Sequence, residues 1–249
     1  ICRRAHSLGQ RSEKPGPWIT LKLEGRTMNS SKRLCEKYRP SVLSDVVGQD
    51  KAVAVVRRII DQGAGGRAVW LSGTSGSGKT TLARIIAHSI ADPFFVEECV
   101  ADELGVERLD SWIRSMRLCS WGKGGRAFIV NEAHGLRAVI QRRLDGLLEE
   151  DLPGHCVVIF TTTWDGQEAM FDGIDAGPLL SRCTPIRLTN QGLAQAFAER
   201  ALTIARTENL DGQPIAAYVK LAQRCKNNMR SMLQEIDAGC MIGAQHEGR

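Results

Sequence analysis

The chain has 249 residues, of which 43% are hydrophobic and 24% are charged. This is the composition of an ordinary globular protein with a sizeable core. No apolar run approaches the 18 or more residues of a membrane span, and no signal-peptide pattern stands at the N-terminus, so we expect no membrane partner. The eight cysteines are scattered and none forms a C-x-x-C pair, so we expect free thiols and no zinc site.

The net charge of +5 is concentrated at the N-terminus. Residues 1–27 hold six basic and two acidic side chains, and the other residues hold 27 basic and 26 acidic ones. The charge balance therefore does not indicate nucleic-acid binding by the folded part. Residues 1–34 lack clear periodicity, and we expect a disordered tail or an upstream extension there. A basic arm that binds nucleic acid is the alternative.

The first recognisable elements lead into a phosphate-binding motif. Pro40 and Gly48 predict an irregular stretch over residues 36–50, and apolar spacing predicts a helix over 51–62. A short apolar strand at 67–72 precedes a complete G-x-x-x-x-G-K-[ST] sequence, and helical spacing follows it. Backbone N–H groups of such a loop surround a polyphosphate, its lysine reaches the β and γ phosphates, and its hydroxyl ligates Mg²⁺. The predicted nucleotide-binding residues are Gly73, Thr74, Ser75, Gly76, Ser77, Gly78, Lys79, Thr80 and Thr81.

The rest of the chain divides into an α/β part and a helical part. Continuous apolar strands are predicted at 94–97, 126–131 and 156–161, with a further short strand at 185–189, and helices at 106–118 and 136–150. This alternation predicts an α/β fold, a parallel sheet covered by helices on both faces. Only helical patterns follow residue 190, at 191–207, 214–225 and 228–240. We therefore predict an α/β nucleotide-binding domain at 35–189 and a small all-α lid domain at 190–249.

A P-loop also needs an acidic group near the metal and the attacking water. The apolar strand 126–131 ends in Asn131, and Glu132 follows it. Glu132 is suited to orient or deprotonate a water molecule for attack on the γ-phosphate. Asn131 stands where a metal-associated Asp is usual. An amide brings no negative charge, so we expect weaker Mg²⁺ binding and slower hydrolysis rather than loss of nucleotide binding.

Together these motifs resemble the AAA+ P-loop ATPases of the clamp-loader type. That family includes the replication factor C small subunits, the phage clamp-loader ATPase and the bacterial DNA polymerase III gamma/tau subunit. The matching stretches span about residues 35–240: Lys-Tyr-Arg-Pro at 37–40, Val-Val-Gly-Gln at 46–49, the P-loop, Asn-Glu-Ala-His at 131–134, and Leu-Ser-Arg-Cys at 180–183.

The resemblance implies roles for further residues. Arg182 would act as an arginine finger on the nucleotide of a neighbouring subunit. Thr162 aligns with the sensor-1 position and Arg230 with the sensor-2 position, both of which contact the nucleotide in the family. The base and ribose would lie near Tyr38, Arg39, Val46 and Val47. Other AAA+ subunits in a homo- or hetero-oligomeric ring, a sliding clamp and primer-template DNA are the implied partners.

The sequence also departs from that family. We expect no third, collar domain within the residues given, which end after the second predicted domain, and Cys99 and Cys119 alone cannot supply the zinc-binding insert of the gamma/tau pattern. Contact with DNA phosphates is the weakest expectation, since the arginines that could make it are explained equally well as a solvated basic helix face. These arginines are Arg114, Arg117, Arg137, Arg142 and Arg143.

The sequence thus predicts an ATP- and Mg²⁺-dependent ATPase that resembles a sliding-clamp loader and acts in DNA replication or repair. We expect a cytoplasmic location, nucleoid-associated, or nuclear in a eukaryote. One alternative, raised by Asn131, is a nucleotide-binding assembly subunit that hydrolyses poorly or not at all. Another is a different AAA+ DNA remodeller, such as a recombination or branch-migration factor. A small-molecule P-loop kinase fits poorly, because it has no use for Arg182.

Overall fold

The computed structural model describes residues 32–150, 152–163 and 177–242. In chain order the helices and strands are α1 (Leu34–Lys37), α2 (Asp50–Asp61), β1 (Arg67–Ser72), α3 (Lys79–Ile90), β2 (Val96–Val100), α4 (Val106–Met116), β3 (Arg126–Asn131), α5 (Ala138–Glu149), β4 (Cys156–Thr162), α6 (Gly177–Ser181), β5 (Cys183–Arg187), α7 (Ala194–Thr207), α8 (Ile215–Arg224) and α9 (Met229–Asp237). No helix among these residues is long and apolar enough to cross a membrane.

The five strands form one parallel sheet in the order β2-β3-β4-β1-β5. Alternate residues of each strand belong to two buried clusters, one on each face. Helices α4, α5 and α6 cover one face, and α2 and α3 cover the other. The continuous apolar strands follow from this arrangement, because both faces of a parallel sheet are buried. The predicted α/β fold is therefore confirmed, and all five strands end at the same edge of the sheet.

The three C-terminal helices enclose a separate apolar cluster. Its largest fully buried side chain is Tyr218, which packs among residues of α7, α8 and α9. Leu34, which the sequence assigns to the tail, begins α1 and is also buried in this cluster. The residues from Arg33 onward form one compact unit, so the lid boundary at 190 stays a prediction.

Two strands have boundaries that differ from those predicted from the sequence. The strand expected at 94–97 begins at Val96, because Pro93–Phe95 forms a 3₁₀ turn that opens with the proline. The strand expected at 185–189 is β5, which begins at Cys183. Among the described strands β5 pairs only with β1, and an edge strand tolerates Pro185 because one row of its N–H groups has no partner strand.

Candidate nucleotide-binding site

The P-loop connects β1 to α3 at the carboxyl edge of the sheet. Gly73 has φ +146°, and a Cβ there would lie 2.7 Å from the Leu188 carbonyl oxygen, so only glycine fits. Lys79 is 6% exposed, and its Nζ donates to the carbonyl oxygens of Gly73 at 2.7 Å and Thr74 at 2.9 Å. The Lys79 side chain is thus held across the P-loop, and its positive charge lies next to the backbone N–H groups that would bind the phosphates.

The buried side chain of Gln49 connects the P-loop to the chain segment after β5. Gln49 is 3% exposed. Its Nε2 donates to the carbonyl oxygens of Ser77 at 3.3 Å and Thr189 at 2.7 Å, and its Oε1 accepts from the Thr189 N–H at 3.2 Å. The sequence showed Gln49 only as part of a matching tetrapeptide. The structure assigns it the contact between the loop and the chain that follows β5.

The end of β3 lies beside the P-loop. Asn131 Oδ1 accepts from the Thr161 hydroxyl at 2.9 Å and lies 3.4 Å from the Thr80 hydroxyl. Glu132 has the left-handed backbone angles φ 52° and ψ 49°, a conformation that is costly for a residue with a Cβ. This turn ends β3 and places Glu132 in the wall of the pocket.

The three consecutive threonines at the end of β4 face different neighbours. Thr163 Oγ1 lies 3.4 Å from Glu132 Oε2, and Thr161 contacts Asn131. Thr162 is buried on the opposite side of the strand, where its hydroxyl lies 3.3 Å from His134 Nδ1. The alternation of a β-strand separates them in this way. The sensor role stays a prediction for Thr162, while Thr163 is the hydroxyl beside Glu132.

One pocket brings together the P-loop, Glu132 and the helical region. Its walls include the predicted residues Tyr38, Arg39, Val46, Val47 and Arg230. Residues that sequence reasoning missed also line it: Arg200, with Phe197 and Ile204 on the same face of α7, and Met229 and Leu233 on α9. Their helical spacing is the only sequence signal, and ordinary core residues share it.

Tyr38, which we predict to lie near the base of a bound nucleotide, is held in place by hydrogen bonding. The Tyr38 hydroxyl donates to Glu208, at the end of α7, and Lys37 Nζ lies 2.7 Å from the same carboxylate. The hydrogen bond to Glu208 raises the pKa of Tyr38. The hydrogen bonds from Lys37 and then Tyr38 lower the pKa of Glu208. All three groups therefore keep the protonation states that hold them together near neutral pH.

Two polar atoms of the pocket residues have unused hydrogen-bonding capacity. Arg39 Nε and Ser77 Oγ are buried and have no hydrogen-bond partner among the described residues. Both residues line the pocket. A buried polar group without a partner is costly, so a polar ligand in this pocket would offset that cost. The guanidinium suits an anion or a ribose oxygen, and the hydroxyl suits a phosphate oxygen.

The helical region touches the P-loop through Asn228. Its side chain caps α9 by accepting from the Ser231 N–H at 3.2 Å, and its Nδ2 donates to the Ser75 carbonyl oxygen at 3.2 Å. Gly76 has φ +76°, and a Cβ there would lie 2.0 Å from Asn228 Oδ1. Glycine at this position lets the loop and the helix N-terminus meet.

Arg182 lies away from this pocket. It precedes β5, whose first residue pairs with the start of β1, so it lies at the sheet edge opposite the P-loop. A strand of this length puts the two edges roughly 15 Å apart. Arg182 instead contacts α5, at 2.8 Å from Asp145 and 3.2 Å from Glu149. It therefore does not reach the pocket of its own chain.

Thr80 and Asn131 fit a magnesium ion whose remaining ligands are phosphate and water. Among the described residues no cluster of three or more His, Cys, Asp or Glu side chains is arranged for a metal. The hydroxyl of Thr80 and the amide oxygen of Asn131 are hard oxygen donors 3.4 Å apart. Mg²⁺ commonly takes one or two protein oxygens and completes its shell with phosphate and water, so these two donors fit it.

Comparison with known proteins agrees with this geometry. The TIP49 P-loop domain model matches residues 26–106. Replication factor C subunit 4 of Schizosaccharomyces pombe is 27% identical over 82% of this chain and 59% of its own length. The DNA polymerase III subunit gamma/tau of Mycoplasma pneumoniae is 27% identical over 83% of this chain and 32% of its own length. These matches confirm the resemblance to AAA+ ATPases of the clamp-loader type.

A solved structure supports the fold. The RuvB Holliday junction branch migration motor of Thermotoga maritima has a TM-score of 0.63 at 21% identity, over 80% of this chain and 64% of that one. At this identity the match establishes the AAA+ P-loop fold alone. The chain spans about a third to three-fifths of the length of the curated relatives named above.

Proposed function

We propose that this chain is an ATP-binding and ATP-hydrolysing AAA+ subunit that works in a ring, in the manner of a DNA sliding-clamp loader. The observation that carries the proposal is the single pocket in which the P-loop, Glu132, Tyr38 and Arg230 meet. The similarity to replication factor C and gamma/tau subunits supports the clamp-loader branch.

The residues divide the work of hydrolysis. Backbone N–H groups of the P-loop and Lys79 would hold the β and γ phosphates. Magnesium, held by Thr80 and Asn131, would offset phosphate charge when bound. Glu132, with 46% of its side chain exposed, would orient the attacking water, and Thr163 would position the Glu132 carboxylate. Arg230 would connect nucleotide occupancy to the helical region.

Arg182 would act on a neighbouring subunit. Its place at the opposite edge of the sheet makes a role at its own nucleotide impossible without refolding, which supports action in trans. The ion pairs to Asp145 and Glu149 are partly exposed and contribute little to stability. They would therefore exchange readily for a phosphate, whose charge in the transition state an arginine finger stabilises.

The main test is ATP turnover with and without primed DNA and a candidate clamp. We expect stimulated turnover for the native chain and its loss in Glu132→Gln, with nucleotide binding retained. Glu107→Gln, which removes an exposed carboxylate on α4, is the matched control and should behave as native. Turnover that ignores both DNA and clamp would contradict the clamp-loader proposal. Loss of DNA affinity with added salt would support phosphate contacts by the exposed arginines of α4 and α5.

Action in trans has its own test. Lys79→Ala should bind ATP more than about 100-fold more weakly but keeps Arg182, whereas Arg182→Ala should bind ATP but lacks the finger. Each variant alone should be nearly inactive, and their mixture should recover activity in the sites that combine an intact P-loop with an intact neighbouring arginine. An arginine finger is worth roughly 10³-fold or more in turnover. A mixture with only the summed activity of its components would contradict the proposal.

One observation favours a second function, that of a nucleotide-binding subunit without turnover. Asn131 has an amide where a carboxylate would bring charge to the metal, and its neighbours satisfy both ends of the amide. Tight ATP binding without turnover, even with partner subunits, DNA and clamp present, would select this function.

A further inference from the structure

Four side chains form a continuous series of contacts that ends at the P-loop. They are Arg84 on α3, Glu98 on β2, Asn131 on β3 and Thr80 at the end of the P-loop. Arg84 binds Glu98 through two nitrogens, at 2.9 Å and 3.2 Å. Glu98 Oε1 accepts from Asn131 Nδ2 at 2.7 Å. The other end of the Asn131 amide faces Thr80. The acidic side chain that the end of β3 lacks is thus present on the neighbouring strand.

The fold dictates this alignment. Glu98 pairs with Ile129 and Val100 pairs with Asn131 across β2 and β3, so Glu98 and Asn131 point to the same face of the sheet. That face is covered by α3. Thr80 and Arg84 are four residues apart on α3 and therefore neighbours on its surface. The backbone alone brings the four side chains into one row.

The chemistry of Glu98 determines which way the Asn131 amide faces. An ionised carboxylate only accepts hydrogen bonds, so it attracts the NH₂ of the amide and repels its oxygen. With the NH₂ turned toward Glu98, Oδ1 faces Thr80 and Thr161, and the Thr161 hydroxyl donates to it at 2.9 Å. Arg84 holds Glu98 in place and offsets part of its charge.

We propose that Glu98 is a positioning residue for the metal site: it fixes the Asn131 amide so that its oxygen, and not its NH₂, faces Thr80 and the magnesium of the bound nucleotide. An amide has one oxygen end and needs such orientation, whereas a carboxylate presents oxygen either way. Glu98 and Asn131 thereby perform together the task of one aspartate. This inference rests on the proposed binding of ATP with Mg²⁺.

The test measures nucleotide binding by fluorescence over a range of Mg²⁺ concentrations, without reference to turnover. Glu98→Leu should raise the Mg²⁺ concentration at which the Mg²⁺-dependent gain in ATP affinity is half-maximal by roughly 10- to 100-fold, the typical effect of losing a partner that orients a metal ligand. Glu98→Gln retains an acceptor for Asn131 and should show a smaller shift. Glu97→Gln is the matched control, because Glu97 faces the other side of β2 and binds Trp112 Nε1 at 2.7 Å. It should leave the Mg²⁺ dependence unchanged.

The decisive variant combines two substitutions. Asn131→Asp in the Glu98→Leu background should restore the native Mg²⁺ dependence or improve on it, because a carboxylate needs no orienting partner. Asn131→Asp alone should gain less, since it puts two carboxylates side by side. A purely structural role for Glu98 predicts no such rescue.

The outcomes separate this inference from the proposed function. A folded Glu98→Leu protein whose Mg²⁺ midpoint stays within twofold of native would overturn the inference, as would failure of Asn131→Asp to rescue it. If Glu98→Leu melts before it can be measured, Glu98→Gln and the double variant decide the question by the same criterion. A native chain that binds no ATP at any Mg²⁺ concentration would instead refute the proposed function.

Discussion

The phosphate end of the pocket is built from one continuous stretch of chain, whereas the base end is assembled from distant segments. Residues 73–80 and the strand β1 before them form the phosphate end through backbone groups. The predicted base end uses Tyr38 from before the sheet, and the Tyr38 hydroxyl is held by Glu208 at the end of α7. The first needs only local geometry, and the second exists only while α1 packs against the C-terminal helices. Binding of phosphate and recognition of the base should therefore respond differently to substitution.

The largest effect is expected at the phosphate end. Lys79→Ala removes the buried ammonium group and its charge-assisted hydrogen bonds. Such bonds contribute about 1.5–3 kcal/mol each, so ATP affinity should fall more than about 100-fold, as measured by calorimetry. Lys220→Ala, an exposed lysine on α8, is the control and should bind as native. Retention of ATP within tenfold by Lys79→Ala would mean that the base end suffices on its own.

A smaller effect is expected where the two ends meet. Gly76→Ala would force a Cβ against the Asn228 side chain at a positive φ, which we expect to cost about 1–3 kcal/mol of unfolding free energy. Denaturant unfolding measures this directly. Gly146→Ala, in α5 with nothing within 4 Å of the added Cβ, is the control and should be neutral or slightly stabilising. Adding Asn228→Ala to Gly76→Ala should relieve the collision, while the backbone strain remains and the cap of α9 is lost. Equal stability of the two glycine variants would disprove the contact.

The smallest effect is expected at the base end. Glu208→Gln removes the charge that anchors Tyr38 and Lys37, and ATP affinity should fall about twofold, since exposed ion pairs contribute little. Tripolyphosphate, which reaches only the phosphate end, should bind as tightly as before. If tripolyphosphate weakens equally, the two ends are not separable.

The pKa shifts of Glu208, Lys37 and Tyr38 determine how the effect of Glu208→Gln depends on pH. The pKa of Glu208 is lowered, so its contribution is present above the unfolded pKa and is lost as the pH falls through the folded pKa. The pKa values of Lys37 and Tyr38 are raised, so their contribution is present below their unfolded values and is lost as the pH rises through the folded ones. The Glu208→Gln effect on ATP should therefore be constant between about pH 6 and pH 9.

The same difference explains what the sequence could predict. The P-loop and the Asn131–Glu132 pair are contiguous motifs at the end of apolar strands, so their shared edge follows from a parallel sheet. Glu98 and Asn228 could not be assigned in this way. The role of Glu98 depends on the register of β2 against β3, and that of Asn228 on how α9 meets a loop far away in the chain. Thr162 and Thr163 illustrate why sequence alone could not identify the hydroxyl beside Glu132. Neighbouring residues of a strand point to opposite faces of the sheet, so a shift of one position changes which threonine faces Glu132.

The capping of α9 by Asn228 has a mechanical consequence. The residue that starts the helix is also the one bonded to the P-loop, so a rotation of α9 relative to the loop would be centred on that contact. Nine residues of helix extend about 13 Å from that contact. A rotation of only about 10° would therefore move the far end of α9 by roughly 2 Å, a lever that converts a small adjustment of the loop into a visible displacement at the surface.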